Sequence, residues 1–127
     1  MTMNSKVFMI VRILLGLFVL IFGLNKFLNF IPMGGEMPDS VIAFFGAVSS
    51  SYTLKLVAIV EILAGLSFIF NKYGALMAII LMSVSVNAVL FHATLLPEGI
   101  GPALALLILN ILALVGYKDK YKDILRP

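Results

Sequence analysis

Residues 73–97 read YGALMAIILMSVSVNAVLFHATLLP, without one Asp, Glu, Lys or Arg. After Glu98, residues 99–117 (GIGPALALLILNILALVGY) again carry none of the four. A helix rises about 1.5 Å per residue and needs about 20 mainly apolar residues to cross the hydrocarbon core of a bilayer. Each stretch therefore holds one spanning helix. Between them, Leu96-Pro97-Glu98-Gly99-Ile100-Gly101-Pro102 reads as a turn, with Pro102 placed in the first turn of the next helix.

Working outward, residues 54–70 are apolar apart from Lys55 and Glu61, and residues 7–30 apart from Arg12 and Lys26. The predicted spans are 7–30, 54–70, 73–92 and 100–117. Asn71-Lys72 is a tight joint, so the second and third spans are antiparallel neighbours. The long connection from Ile31 to Thr53 is broken by Pro32, Gly34, Gly35 and Pro38. After Asp39 or Ser40 as a cap, Val41, Phe44, Phe45 and Val48 share one helical face. Residues 40–49 are too short for a span and read as a helix in the membrane interface or over the bundle mouth. The expected fold class is all-α: one integral membrane four-helix bundle over residues 1–127, with a short interfacial helix between spans one and two.

Composition agrees. Of the 127 residues, 62% are hydrophobic and 12% charged, and the mean hydropathy is +1.16. A chain this short cannot hide that much apolar surface in a water-soluble core. This excludes a soluble enzyme, a disordered tail and a nucleic-acid-binding domain. The net charge of +3 reflects topology, because the basic residues sit at segment ends and in the tail. Placing both ends on one side gives that side Lys6, Arg12, Lys72, Lys118, Lys120, Lys122 and Arg126, against Lys26 and Lys55 opposite. The positive-inside rule then expects a multi-pass protein of the cell inner (plasma) membrane with both termini cytoplasmic. The first segment is too long for a signal peptide and no A-x-A-like site follows Phe30. Without cysteine there is no disulfide, CxxC pair, thiolate-bound cluster or Cys-ligated zinc. The seven methionines are scattered and read as packing rather than a metal site.

Polar residues inside spans carry the functional information, since an ionisable group near the bilayer centre costs at least about 2.5–3.5 kcal/mol on insertion scales. The candidates are Arg12, Lys26, Glu61, Asn87, His92 and Asn110, with Ser83 and Ser85 as lesser members. Arg12, Gly16, Val19, Gly23 and Lys26 form one stripe of span one; Leu54, Ala58, Glu61, Gly65 and Phe68 share a face of span two. Glycines on both stripes allow close backbone approach, so these faces are expected to meet. Measured from Lys6 and Lys72, Arg12 lies about 9 Å deep and Glu61 roughly 16 Å. That makes Arg12 the expected partner of Glu61, with Asn110 at similar depth and Lys26 near the outer surface. The pair reads either as a structural lock on helix register or as a ligand- and proton-handling site. Lys26 reads as a snorkelling lysine or a site residue, and His92 as a capping histidine or a ligand contact, with no second histidine for a metal. Asn87 and Asn110 read as interhelical hydrogen-bonding residues or ligand contacts.

Val11-Arg12-Ile13-Leu14-Leu15-Gly16, Phe22-Gly23-Leu24-Asn25-Lys26-Phe27, Val60-Glu61-Ile62-Leu63-Ala64-Gly65, Phe91-His92 and Asn110 together resemble the DoxX family of small four-helix membrane proteins (DoxX/DoxD-like) over essentially the whole chain. The resemblance implies Arg12, Lys26, Glu61 and His92 as site positions, and Asn110 with them. It implies a membrane subunit of a thiosulfate:quinone oxidoreductase or a component of oxidative-stress complexes. A eukaryotic branch resembles assembly chaperones for ligand-gated ion channels. The chain carries no cysteine or soluble domain for sulfur chemistry, so at most it is a non-autonomous oxidoreductase subunit, with electrons supplied by a redox partner protein.

Two readings follow. In the first, the bundle holds a quinone head group near Glu61, Arg12 and Asn110; Arg and Asn donate to its carbonyls and Glu61 exchanges protons. No other cofactor is expected. In the second, the chain is a non-enzymatic assembly factor or scaffold for another membrane protein. Four short spans without broken-helix repeats argue against a monomeric transporter. The bilayer is the expected environment in either case, and homo-oligomerisation is open.

Overall fold

A computed structural model describes residues 3–31 and 36–127. Five α-helices follow in order: α1 (Ser5–Leu28), α2 (Asp39–Ser50), α3 (Thr53–Phe70), α4 (Gly74–Thr94) and α5 (Ile100–Gly116). Among the described residues there is no strand. The expected breakers Pro32, Gly34 and Gly35 lie outside the described residues.

Helices α1, α3, α4 and the segment Pro97–Gly116 are long and apolar enough to cross a membrane. Their boundaries follow local chemistry. Asn4 opens α1 by accepting a hydrogen bond from the Lys6 amide at 2.8 Å. Asn29 and Asn71 close α1 and α3 in the left-handed region, at φ 52° and 54°, where asparagine is tolerated better than most residues. Asn25 fixes the exit from α1: its Oδ1 accepts from the Ile31 amide at 2.7 Å. The expected 7–30 span therefore ends two residues early. The 97–102 turn is a single 3-10 turn, Pro97–Gly99, and Pro102 falls in the first turn of α5. In α2 the Asp39 or Ser40 side-chain cap is not made. Pro38 precedes the helix, its carbonyl accepting from Val41 and Ile42, and Asp39 sits in the first turn, where its charge suits the helix dipole.

The four long helices form a closed ring in the order α1, α3, α4, α5, and α2 packs against α3. As the stripes predicted, α1 and α3 meet along their glycines. A Cβ on Gly16 would lie 3.0 Å from the Gly65 carbonyl oxygen, and one on Gly65 2.8 Å from that of Gly16. A Cβ on Gly23 would lie 3.0 Å from Cβ of Glu61. Ile10, Leu14, Leu17 and Ile21 of α1 point outward, as do Leu56, Ile59 and Leu63 of α3. Such a surface suits acyl chains.

The core is not spread evenly. Leu15, Val19, Ala64, Phe68, Ala78, Leu81 and Ala113 are buried together in the half nearer the chain ends, closed by Tyr117 and Tyr121. The Tyr117 hydroxyl donates to Asn71 Oδ1 at 2.8 Å and that of Tyr121 to the Ala75 carbonyl at 2.7 Å. Burial, with Tyr117 beside it, pushes the Tyr121 phenol up to about 12, so it stays a donor at any physiological pH.

Because the Gly65 contact is backbone against backbone, Gly65→Ala is expected to cost about 1–3 kcal/mol through overpacking. Gly101→Ala, where a Cβ meets nothing within 4 Å, is expected to be neutral or slightly stabilising. Thermal unfolding of the two variants in detergent checks this; equal losses would contradict the close contact.

Candidate functional site

The glycine contacts set the register of α1 against α3. Glu61 lies level with Gly23, and Phe68 with Gly16. Helical side chains lean toward the N-terminus of their own helix. In this antiparallel pair Lys26 leans back toward Gly23 while Glu61 leans up toward Lys26. Their charged groups meet at 2.6 Å between Nζ and Oε1. Arg12 leans the other way, toward the end carrying the termini.

The expected Arg12–Glu61 pair is therefore not formed; Lys26 takes the position. The depth estimate fails because Lys6 and Lys72 do not sit at one level, and because the opposite lean of the two side chains was not counted. Arg12 Nη1 instead donates to the Phe68 carbonyl at 2.6 Å. That carbonyl lies in the last turn of α3, where main-chain acceptors lose their helical partners. The guanidinium also stands 5.9 Å from the centre of the Phe8 ring. Arg12 thus caps α3 and closes the packed half.

Asn110 is likewise structural here. It is fully buried, with Nδ2 donating to the Ala78 carbonyl at 3.0 Å and Oδ1 accepting from Ser85 Oγ at 2.6 Å. It joins α5 to α4 by interhelical hydrogen bonds. Ser83 donates to its own helix at Ile80.

The other half of the bundle is open. A cavity of about 610 Å³ lies among all five helices, and Lys26, Glu61, Asn87 and His92 all line it. Its volume falls in the range of small-molecule sites. Phe18 and Phe22 contribute from α1, Phe44 and Phe45 from α2, and Phe91 from α4. The rings of Phe44 and Phe45 pack on Phe91 at 5.0 and 5.3 Å, so α2 forms the cavity's aromatic roof. That gives the short helix the place over the bundle mouth that its apolar face suggested.

The polar groups at the cavity are incompletely satisfied. Glu61 is 3% exposed, yet Lys26 approaches Oε1 off the hydrogen-bonding direction and that buried oxygen has no aligned donor. Lys26 is also 3.5 Å from the Phe22 carbonyl. His92 Nδ1 lies 3.0 Å from the Leu96 carbonyl oxygen. Asn87 is exposed to the cavity. Of the six candidates, the fold brings four to one space and assigns Arg12 and Asn110 to packing elsewhere. Helical period puts Phe44 and Phe45 on one face of α2 but carries no sign that this face roofs a cavity. Gly99 lies beside His92; a glycine in a turn gives no sequence signal of what lies against it.

A closed ring of four apolar helices around an ion pair and an apolar cavity defines a small four-span membrane protein with a polar site inside the bundle. A family model for DoxX matches residues 7–94, from the start of α1 to the end of α4, and the chain belongs to the DoxX family. Asn110 lies beyond the matched residues. No curated protein and no solved structure matches the chain.

If Lys26 is the partner of Glu61, a double-mutant cycle on Lys26→Met and Glu61→Gln should give a coupling of about 1–3 kcal/mol, and a cycle on Arg12→Met and Glu61→Gln close to zero. Unfolding of each variant in mixed micelles supplies the cycles. The reverse pattern would restore the Arg12 pairing.

Proposed function

We propose that this protein is the membrane component of a quinone-linked redox system and holds a lipophilic ring in the cavity against Lys26 and Glu61. The observation that carries this reading is the meeting of an incompletely satisfied buried carboxylate with a largely apolar, aromatic-walled space of about 610 Å³. A structural ion pair alone would have no need of such a space, since close packing around it would recover dispersion energy.

The residues fit a quinone head group. The Lys26 ammonium can donate to a ring oxygen, and Glu61 can hold or release a proton beside it. Phe18, Phe22, Phe44, Phe45 and Phe91 offer faces and edges to a flat ring and keep water away. A quinone, when bound, supplies two-electron, two-proton chemistry. The chain itself binds, orients and handles protons; electrons come from a redox partner. Arg12 and Asn110, expected beside the head group, serve instead as scaffold.

Purified full-length protein should bind decylubiquinone saturably, and Lys26→Met or Glu61→Gln should weaken binding about tenfold or more, the value of one charge-assisted hydrogen bond. Arg12→Lys should leave the affinity of the folded fraction unchanged. Absence of saturable binding to ubiquinone and menaquinone analogues alike would sink the reading and leave the scaffold alternative, which predicts a stably co-purifying membrane partner.

The Lys and Arg distribution supports an inner-membrane orientation with both termini cytoplasmic. The chain lacks cysteine, so single cysteines at Ser5 and Ser50 report topology directly. An impermeant maleimide applied to intact cells should label the Ser50→Cys variant and spare Ser5→Cys; the opposite pattern would invert the assignment.

A further inference from the structure

His92 sits in a socket built from the turn that follows its own helix. Its Nδ1 lies 3.0 Å from the Leu96 carbonyl oxygen. A carbonyl oxygen only accepts, so Nδ1 carries the proton in that contact. In the neutral imidazole Nε2 is then a bare acceptor. Among the described residues Nε2 has no hydrogen-bond partner, and His92 lines the cavity. Gly99 completes the socket: a Cβ there would lie 2.5 Å from Cε1 and 2.8 Å from Nδ1 of the imidazole. Any side chain at position 99 would push the ring out of place. The tautomer and the position of His92 are thus both set by main-chain atoms of one turn.

Besides the amides of Asn25, Asn29 and Asn87 and the hydroxyls of Ser49 and Thr53, the cavity carries two ionisable places on different helices. At one, Lys26 donates and Glu61 accepts, so a carbonyl or a hydroxyl can be served. At His92 only an acceptor is offered. A ring carbonyl placed there meets a lone pair, whereas a ring hydroxyl donates to it. Resting on the reading that the cavity takes a quinone-type ring, we propose that His92 Nε2 accepts a hydrogen bond from a second ligand oxygen, so that the site prefers the reduced, dihydroxy form of the ring over the dione. The other titratable groups near the ligand are Lys26 of α1 and Glu61 of α3 at the cavity wall, and Glu98 in the turn beside Gly99. Helices α2 and α5 contribute no titratable lining residue.

The test compares decylubiquinol and decylubiquinone under anaerobic conditions, by equilibrium dialysis against the full-length protein in nanodiscs. The quinol should bind about tenfold tighter than the quinone. His92→Phe should abolish the preference while Lys26 and Glu61 still anchor the ring. Gly99→Ala, which keeps the imidazole but displaces it, should reduce the preference in the same direction. Equal affinity of the wild-type protein for the two forms, or a preference that survives His92→Phe, would overturn the assignment even though the ligand binds. Failure of either form to bind wild-type protein would instead overturn the quinone reading itself.

Discussion

The close contact of α1 with α3 through Gly16, Gly23 and Gly65 is the constraint on which the site depends. In a bilayer the lipid tails are as apolar as leucine, so burying apolar side chains cannot draw helices together as it does in water. Backbone proximity and dispersion must do it, and glycine permits both. The contact also fixes register. With Gly23 level with Glu61, the ammonium three residues further along α1 reaches the carboxylate, and Arg12 does not. A shift of one helical turn, about 5.4 Å, would leave Glu61 without its cation inside the membrane.

The bundle divides its labour along its axis. Toward the termini its interior is filled, with Phe68, Leu15 and Leu81 fully buried and Tyr117 and Tyr121 tied to main-chain or asparagine oxygens, and a pocket of about 320 Å³ opens only at the end, beside Phe8, Gly74 and Tyr117. Arg12 adds a bond to a free helix-end carbonyl and Asn110 cross-links α4 and α5. This half carries the main buried core of the bundle. The opposite half is thereby free to stay hollow, roofed by α2. A void of this size stripped of such support would lose dispersion contacts along its whole lining.

Much of this was legible in the sequence, for reasons that differ by feature. Span number and limits follow from apolar runs, because the bilayer fixes the required length. The facing stripes of α1 and α3 follow from helical period alone. Pairing across the interface does not: Arg12 and Lys26 lie on the same stripe, and choosing between them needs the relative height of two helices and the lean of each side chain. Charged residues at segment ends give height only to within a turn or so, and Glu61 falls between the two cations, which stand about 21 Å apart along α1, so an error of that size changes which of them is nearer. Asn110 posed a related problem. A buried amide reads the same whether its partner is a ligand or a neighbouring helix, and only the geometry shows Ala78 and Ser85 engaging both of its ends.

Hydrogen-bond accounting separates scaffold from site more sharply than depth or residue type. A polar group inside a membrane is costly unless paired, so its partners reveal what it is for. Asn110 has both ends of its amide engaged, and Arg12 donates through Nη1 to a main-chain acceptor, although its buried Nε has no partner among the described residues. Glu61 keeps a buried oxygen without an aligned donor, His92 keeps a free ring nitrogen, and Asn87 faces open space. These three lie on the same cavity, though they come from two different helices. Three side chains with unmet bonding capacity on one cavity are what a binding site requires, whereas the unpartnered Nε of Arg12 does not line that cavity.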